Sequence, residues 1–414
     1  MSQRSAATLP MVPRRKQCGM ASWVSPLGRF SSLSTNWPTI DELLRLRFSA
    51  HAEIRAQGAE FAMESKRLLK ADLERICLEN VQACILIGNL CGAEANADSE
   101  SLFFGIAMRM ARLLHLAVEV PSEDGITRET KRRVWWTLYM IDRWSSAGLG
   151  LPRQFYNDCG SPDLPMNELV FHRLKEGDPN PSASSQRAGL WAHMITLVTI
   201  FGHIQDLNQH LAREDLEEDY IESAVCGLAE SLERFDNGLP SDVQLTFDNL
   251  ATHARQGVGR TFVALHLGFH HYATLLYFQY LDTQRPASPN KVLYANRCKN
   301  HAAAFSDLLR TSHEYKDCAA VYNIVGHMTV VSSSVLLHTL LFGEDDELPS
   351  ARRRLESNFE LLVKLRNYWP SVRLMVSSVV PSVSSLLIRY LDGPSLYVSK
   401  CLLLVSKFEY PQDR

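Results

Sequence analysis

The chain has 414 residues, of which 46% are hydrophobic, and a formal net charge of -3 at pH 7. A chain of this length and apolar content can bury a large core, as one large helical domain or two smaller ones. The near-neutral charge excludes a protein that binds nucleic acid over its whole surface. Nine cysteines without a C-x-x-C pair are typical of reduced thiols in a cytosolic or nuclear compartment.

Residues 1–37 form a basic N-terminal segment that we predict to be disordered. Ser, Pro and Thr are frequent there and apolar periodicity is weak. A mitochondrial transit peptide has a similar composition and stays open as an alternative, although Pro10 and Pro13 would interrupt the amphipathic helix of such a peptide. The segment contains neither Asp nor Glu and carries five basic residues: Arg4, Arg14, Arg15, Lys16 and Arg29.

From residue 38 to about residue 410, apolar residues recur at three- and four-residue spacing. This spacing predicts an all-α fold, a large irregular domain of many packed helices without a significant sheet. Strong helical patterns run from Pro38 to Leu90 and from Leu102 to Leu116, with a polar break at residues 92–100 between them. A third pattern starts near Thr127 and ends near Ser146.

Two later stretches read as connections. Residues 176–188, rich in Ser and Pro, are the best candidate for a flexible surface loop. Residues 283–290 hold two prolines and separate a helix ending near Leu281 from one starting near Lys291. The most apolar run, Val321 to Phe342, is interrupted by histidines and serines, so we expect a buried helix rather than a membrane span.

Metal-ligating residues are present but poorly spaced. Cys77, Cys84 and Cys91 are seven residues apart, which is about 10 Å per step on a helix and too far for one tetrahedral ion, so we expect core thiols. His266 and His270 are four residues apart and form the metal candidate, with a plain core or surface histidine pair as the alternative. We therefore expect no cofactor in this chain. Neither a Walker lysine nor a G-x-S-x-G elbow occurs, and we expect no enzyme.

The most informative segment runs from Glu129 to Pro152 (ETKRRVWWTLYMIDRWSSAGLGLP). Adjacent tryptophans on a helix point about 100° apart, which predicts neighbours on more than one side of that helix. Glu129 is placed to pair with Arg133 at i,i+4. Arg132 lies one turn before Trp136, where stacking or a cation–π contact is expected. These residues predict a central buried helix with satisfied charges.

This segment resembles the signature of the fungal-specific transcription factor domain, the middle homology region of zinc binuclear cluster regulators. Residues 105–111 (GIAMRMA) are similar to the Gly-x-Ala-x-Arg-x-Ala helix of the family. The usual Gly-Arg-Pro of the family reads Gly-Leu-Pro here, so one basic group is missing. Ten positions form our candidate structural and regulatory motif: Glu129, Arg132, Arg133, Trp135, Trp136, Tyr139, Asp142, Arg143, Gly150 and Pro152.

The resemblance implies that residues 38–410 are the regulatory (middle homology) domain of a pathway-specific fungal transcription regulator in the nucleus. Secondary metabolism is one class of pathway that fits. It also implies partners: other transcription regulators or a homodimer partner, and a small-molecule effector. No membrane is implied. The alternative function is a helical metabolite-binding protein or enzyme unrelated to transcription, and the alternative compartment is the mitochondrion.

Family members place a six-cysteine zinc cluster before this domain, where two zinc ions position a helix in the DNA major groove. Here only Cys18 precedes Cys77, and Thr8 and Met11 occupy the two cysteine positions before it. We therefore expect no zinc cluster to form from this sequence, and zinc only if a missing N-terminal cluster exists. DNA contact is then expected only indirectly or through a missing module. The basic residues of the N-terminal segment would add weak phosphate contacts without base reading.

Overall fold

The structure is a computed structural model that describes residues 52–120, 122–155, 161–175, 187–213, 216–282 and 285–372. These residues form twelve α-helices and one 3-10 helix and contain no strand, which confirms the predicted all-α fold. The predicted disordered segment at 1–37 lies outside the described residues, as does most of the predicted flexible loop at 176–188.

The helices follow one another along the chain, and the 3-10 helix Phe278–Leu281 directly extends the ninth. Their bounds are α1 Ala52–Ala71, α2 Leu78–Ala93, α3 Ala97–Leu113, α4 Gly125–Leu149, α5 Glu168–Arg173, α6 Leu190–Arg213, α7 Glu218–Asn237, α8 Phe247–Arg255, α9 Gly259–Tyr277, α10 Lys291–Glu314, α11 Ile324–Phe342 and α12 Leu348–Leu365.

Helices α2 and α3 form a tightly packed pair in the first part of the chain. The polar break between them is shorter than the predicted 92–100, because the Asn96 side chain accepts a hydrogen bond from the Ser99 amide at 3.0 Å and starts α3 early. Gly88 of α2 has no side chain, and the ring of Phe104 fills the space where a Cβ would stand. The pair can therefore pack closely.

The most deeply buried helix is α9. Every residue of α9 except Arg260 and His270 is buried, and it contacts α6, α7, α8, α10 and α11. A helix that is apolar on all sides belongs in the middle of a large helical protein. Apolar side chains from Ala62 to Val372 join around it in one core.

The apolar run predicted as a buried helix is α11, which packs between α10 and α12. Among the described helices it alone has the length and composition to cross a membrane. However, 61% of its apolar 18-residue stretch is buried inside the protein. Its serines are bound within the protein: the Asn358 amide of α12 donates to Ser306 Oγ of α10 at 3.0 Å and to Ser333 Oγ of α11 at 3.1 Å. These contacts support the interpretation as a core helix.

The thiols Cys84, Cys91, Cys298 and Cys318 are fully buried. Burial raises the pKa of Cys84 to about 11, since a thiolate would lose its hydration there. The prediction of core thiols is therefore confirmed for Cys84 and Cys91. Cys77 differs, because α2 begins directly after it and leaves its side chain half-buried.

Candidate functional site

The motif lies on α4 and in the turn that follows it. The helix begins at Gly125, because Asp124 accepts hydrogen bonds from the amides of Ile126 at 3.0 Å and Thr127 at 3.1 Å. It ends at Leu149 and is followed by Gly150, whose φ of +65° is the left-handed conformation that a glycine adopts without strain. Pro152 follows on the surface and prevents the helix from continuing. The helix is thus about one turn longer than the pattern predicted.

The two tryptophans face different neighbours, as predicted. Trp135 packs edge-on against Phe155, with ring centroids 4.7 Å apart. Trp136 donates a hydrogen bond from Nε1 to the Asp163 carbonyl at 2.9 Å. Both indoles are buried. The expectation of a helix contacted on more than one side is confirmed.

Glu129 is the centre of the motif and is fully buried. Its Oε1 accepts hydrogen bonds from Arg133 Nε at 2.7 Å and from the Met166 amide at 3.0 Å, and its Oε2 accepts one from Arg132 Nη1 at 3.0 Å. The predicted Glu129–Arg133 pair is therefore confirmed. Burial raises the pKa of Glu129, and the two neighbouring guanidinium groups oppose that shift.

Arg132 reaches a second carboxylate, Glu119, in the connection between α3 and α4. It is held by Glu119 and Glu129 together, so the predicted stacking on Trp136 does not form. Charge-assisted hydrogen bonds to two carboxylates are stronger than a cation–π contact at the same place, which explains the difference.

Arg133 turns toward the segment 161–175, which we call the clasp. Its Nη2 donates to the Met166 carbonyl at 2.7 Å, and its guanidinium lies 4.5 Å from the centre of the Phe171 ring. Within the clasp, Met166, Phe171 and Leu174 form a small apolar cluster separate from the main core. The clasp is therefore attached to α4 largely through buried polar contacts.

The clasp is also bound to the start of α6 through Glu168, a residue that the sequence reasoning missed. The Glu168 carboxylate accepts hydrogen bonds from the amides of Leu190 at 3.0 Å and Trp191 at 2.9 Å. It caps α6 across 22 residues of sequence, and an anion is favourable at a helix N-terminus. Gly189 leaves room for this contact, because a Cβ there would lie 2.6 Å from Glu168 Oε2. In the sequence, the only local signals for this cap are a carboxylate after Asn167 and a glycine before α6.

The second half of the motif binds the turn after α4. Asp142 accepts hydrogen bonds through Oδ1 from the Gln154 amide at 2.8 Å and through Oδ2 from the Phe155 amide at 2.9 Å. Arg143 lies 3.3 Å from the centre of the Tyr139 ring, and burial lowers the pKa of its guanidinium. Asp142 thus orders the turn that carries Phe155 against Trp135.

The remaining motif contacts tie α4 to α6. The Tyr139 hydroxyl is 2.9 Å from Thr199 Oγ1. Leu151, at the position where the family has arginine, is exposed, while Arg153 donates to the Gly202 carbonyl of α6 at 2.7 Å. Every ionisable motif residue is engaged with another side chain or with the backbone. The arrangement therefore joins α4, the clasp and α6, and offers no free acid, base or nucleophile among these residues.

The metal candidates His266 and His270 have different partners. His266 Nε2 lies 2.9 Å from the Val243 carbonyl, and because a carbonyl only accepts, Nε2 carries the proton. His270 Nδ1 lies 3.0 Å from His301 Nδ1. Burial lowers the pKa of His266 to about 4 and that of His270 to about 3. The structure places no group of three or more His, Cys, Asp or Glu in metal-binding proximity within its described part.

Comparison with known families gives one match. The model of the fungal specific transcription factor domain matches residues 21–226, a range that contains α1 to α6, the motif and the clasp. The match ends inside α7, whereas the common core continues to Val372. No solved structure matches the chain.

Several curated proteins resemble the chain. An uncharacterised transcriptional regulatory protein of Schizosaccharomyces pombe is 23% identical over 76% of this chain and 40% of its own length. A Zn(2)-C6 fungal-type transcription factor of Fusarium oxysporum f. sp. lycopersici is 22% identical over 66% of this chain and 33% of its own length. The chain therefore spans well under half the length of these relatives. The match to the family model identifies residues 21–226 of this chain as a fungal specific transcription factor domain.

Proposed function

We propose that this chain is a fungal transcription regulator that works in the nucleus through its helical domain and is not an enzyme. The observation that supports this most is the family match over residues 21–226, which includes the whole motif. The names of the relatives, which are transcriptional regulators and Zn(2)-C6 transcription factors, point the same way.

The geometry suggests how the domain takes part. The charged side chains of the motif are buried and paired, and the contacts here join α4, the clasp and α6. These side chains therefore hold the domain in one shape and do not form a reactive centre. Recognition of partners then falls to exposed side chains. Other transcription regulators or a second copy of the chain would bind there, and a small-molecule effector is a further class of ligand. Contact with DNA would come from a partner or from a separate module.

A tethering experiment tests the regulatory role. The chain is fused to a heterologous DNA-binding domain in a fungal host that carries the matching reporter gene. We expect reporter expression to change severalfold relative to the DNA-binding domain alone. We expect the response to weaken when Glu129→Gln disturbs the motif. A reporter that does not respond to the fused chain would overturn the proposal.

Two further measurements test location and DNA contact. A fluorescent fusion is expected in the nucleus, and a mitochondrial signal would support the alternative compartment instead. Purified chain is expected to bind CGG-containing DNA only weakly and with steep salt dependence. Tight, sequence-specific binding at physiological salt without a partner would contradict the proposal that DNA contact comes from elsewhere.

A further inference from the structure

The loop in front of α10 is rich in proline and reaches the surface. We define the α10 loop as residues 285–290 (RPASPN), which Lys291 follows as the first residue of α10. Pro286, Ala287 and Pro289 are exposed. A proline has no N–H to donate, so two residues of this loop cannot anchor it through a backbone amide. The loop is therefore accessible to an enzyme and only weakly anchored through its backbone.

Ser288 stands in a sequence context that protein kinases recognise. Pro289 follows it directly and Lys291 lies three residues after it, which gives the pattern Ser-Pro-x-Lys. Proline-directed kinases accept a proline after the acceptor residue, and a subset of them recognises a basic side chain three residues after it through charge complementarity. Ser25 and Ser161 also precede a proline, but neither has a basic residue at that third position. Among the Ser-Pro sites, Ser288 is the one that combines both signals.

The Ser288 hydroxyl loses little when the loop leaves the surface of the protein. Its Oγ is buried, and among the described residues it has no hydrogen-bond partner. Opening of the loop therefore breaks no hydrogen bond of this atom and exposes it to water. The Lys291 amide donates to the Ser288 carbonyl at 3.2 Å, and Lys291 Nζ donates to the Arg285 carbonyl at 2.5 Å. Opening has to break these two contacts, and segments with few contacts open most easily.

We propose that Ser288 is a phosphorylation site for a proline-directed protein kinase. The kinase transfers the γ-phosphoryl group of ATP to Ser288 Oγ. The new O–P bond forms as the bond between the γ-phosphorus and the bridging oxygen breaks, ADP leaves, and the hydroxyl proton passes to a base of the kinase. The inference rests on the α10 loop and its sequence, and it does not depend on the proposed regulatory function.

The phosphate is expected to keep the α10 loop open. Phosphoserine carries a charge of about -1.5 to -2 at pH 7, and such a charge is unfavourable at a buried place that offers the hydroxyl no partner. Arg285 is already paired with Glu218 at 2.6 Å, so it does not neutralise a second anion. Lys291 would pair with the phosphate in place of the Arg285 carbonyl, which removes one contact of the closed loop.

A kinase assay on the full chain tests the site. The chain is incubated with a purified cyclin-dependent kinase, magnesium ions and ATP, and peptide mass spectrometry locates the phosphoryl groups. We expect Ser288 to be modified faster than Ser25 and Ser161. Lys291→Ala should lower the initial rate at Ser288 severalfold, because the basic side chain that the kinase recognises is lost.

The matched control is Lys299→Ala, which should leave the rate at Ser288 unchanged. Lys299 also lies on α10, but it is outside the loop and pairs with Glu347 at 2.9 Å. Circular dichroism verifies that each variant is folded. An unmodified Ser288 in the full chain would overturn the proposal, whether or not a synthetic peptide of residues 282–294 is modified. Faster modification of Ser25 or Ser161, or equal rates for Lys291→Ala and wild type, would overturn it as well.

Hydrogen–deuterium exchange tests the effect of the phosphate on the loop. We expect the amides of residues 287–291 to exchange severalfold faster in the phosphorylated chain than in the unmodified chain, because the contacts of Lys291 are then broken. Treatment of the phosphorylated chain with a phosphatase should restore the slower exchange. Equal exchange in both forms would overturn the proposed opening of the loop.

Discussion

Replacement of Glu129 by Gln tests the central contact of the motif. The change keeps the shape of the side chain but removes the charge that compensates two buried guanidinium groups. The new amide also brings N–H donors toward the arginine donors. We expect a large loss in the free energy of unfolding for one of the smallest changes available in side-chain size.

The magnitude follows from the contacts. Removal of one partner of a buried ion pair costs about 3–5 kcal/mol, because the other charge is left uncompensated. Arg132 keeps Glu119, and the Gln carbonyl can still accept one hydrogen bond, so the lower end of that range applies. We therefore expect about 3 kcal/mol for Glu129→Gln. Adding Arg133→Met should recover part of this loss, since it removes the uncompensated charge.

Urea unfolding, followed by tryptophan fluorescence and by circular dichroism, measures the effect. Two of the seven tryptophans, Trp135 and Trp136, belong to the motif, and Trp136 binds the clasp through the Asp163 carbonyl, so the motif contributes to the fluorescence signal. The matched control is Glu123→Gln, which breaks a pair with Lys131 on the same helix. The side chains of that pair are 25% and 21% exposed. A partly solvated pair of this kind is worth about 0.2–1 kcal/mol.

Equal losses for Glu129→Gln and Glu123→Gln, both under about 1 kcal/mol, would refute the reasoning. Such a result would mean that the buried carboxylate contributes no more than a surface charge. A double variant Glu129→Gln/Arg133→Met that is less stable than Glu129→Gln alone would also contradict the reasoning. It would show that the other contacts of Arg133 contribute more to stability than its uncompensated charge costs.

Two further predictions concern stability. Gly189→Ala should cost about 2 kcal/mol, because its Cβ would crowd the Glu168 carboxylate. Gly227→Ala in α7, with nothing within 4 Å, should stabilise by about 0.5–1 kcal/mol; thermal unfolding that ranks the two in the opposite order would contradict this. The pKa of His266 is about 4 when folded and 6.5 when unfolded, so the unfolded chain binds more protons between these values. Stability is therefore intact above pH 6.5 and falls below it, by about 1.3 kcal/mol from pH 7.5 to 5.5 for this group. His266→Gln should flatten that pH dependence, and an unchanged slope would contradict the assignment.

The sequence predicted those elements whose signals are local. Apolar spacing and turn residues located a helix end near Leu281 and a helix start near Lys291, where the structure also places them. The Glu129–Arg133 pair was predictable because both residues lie one helical turn apart. Helix ends were less accurate, since caps such as Asp124 depend on side-chain geometry that spacing alone does not reveal.

Contacts between distant segments were not predictable. Glu168 looks like any surface glutamate until the fold brings it to the first turn of α6. Arg132 was expected to stack on Trp136, since nothing in the local pattern shows that Glu119 lies within reach. The central position of α9 was not predicted either. The adjacent tryptophans drew attention to α4, whereas α9 is buried through common apolar residues and has no comparable motif. Leu102 and Leu113 lie within the helical pattern predicted from Leu102 to Leu116, but that pattern does not reveal that both side chains are exposed.

The buried thiols provide natural probes of local opening. Cys84 lies in α2, whereas Cys298 lies in α10, near the other end of the described chain. An alkylating reagent needs both access to the sulfur and a thiolate. We therefore expect these two thiols to be unreactive in the native protein and to react only when the region around each of them opens. Their relative rates of alkylation report whether the regions around α2 and α10 open together or separately, without any introduced label.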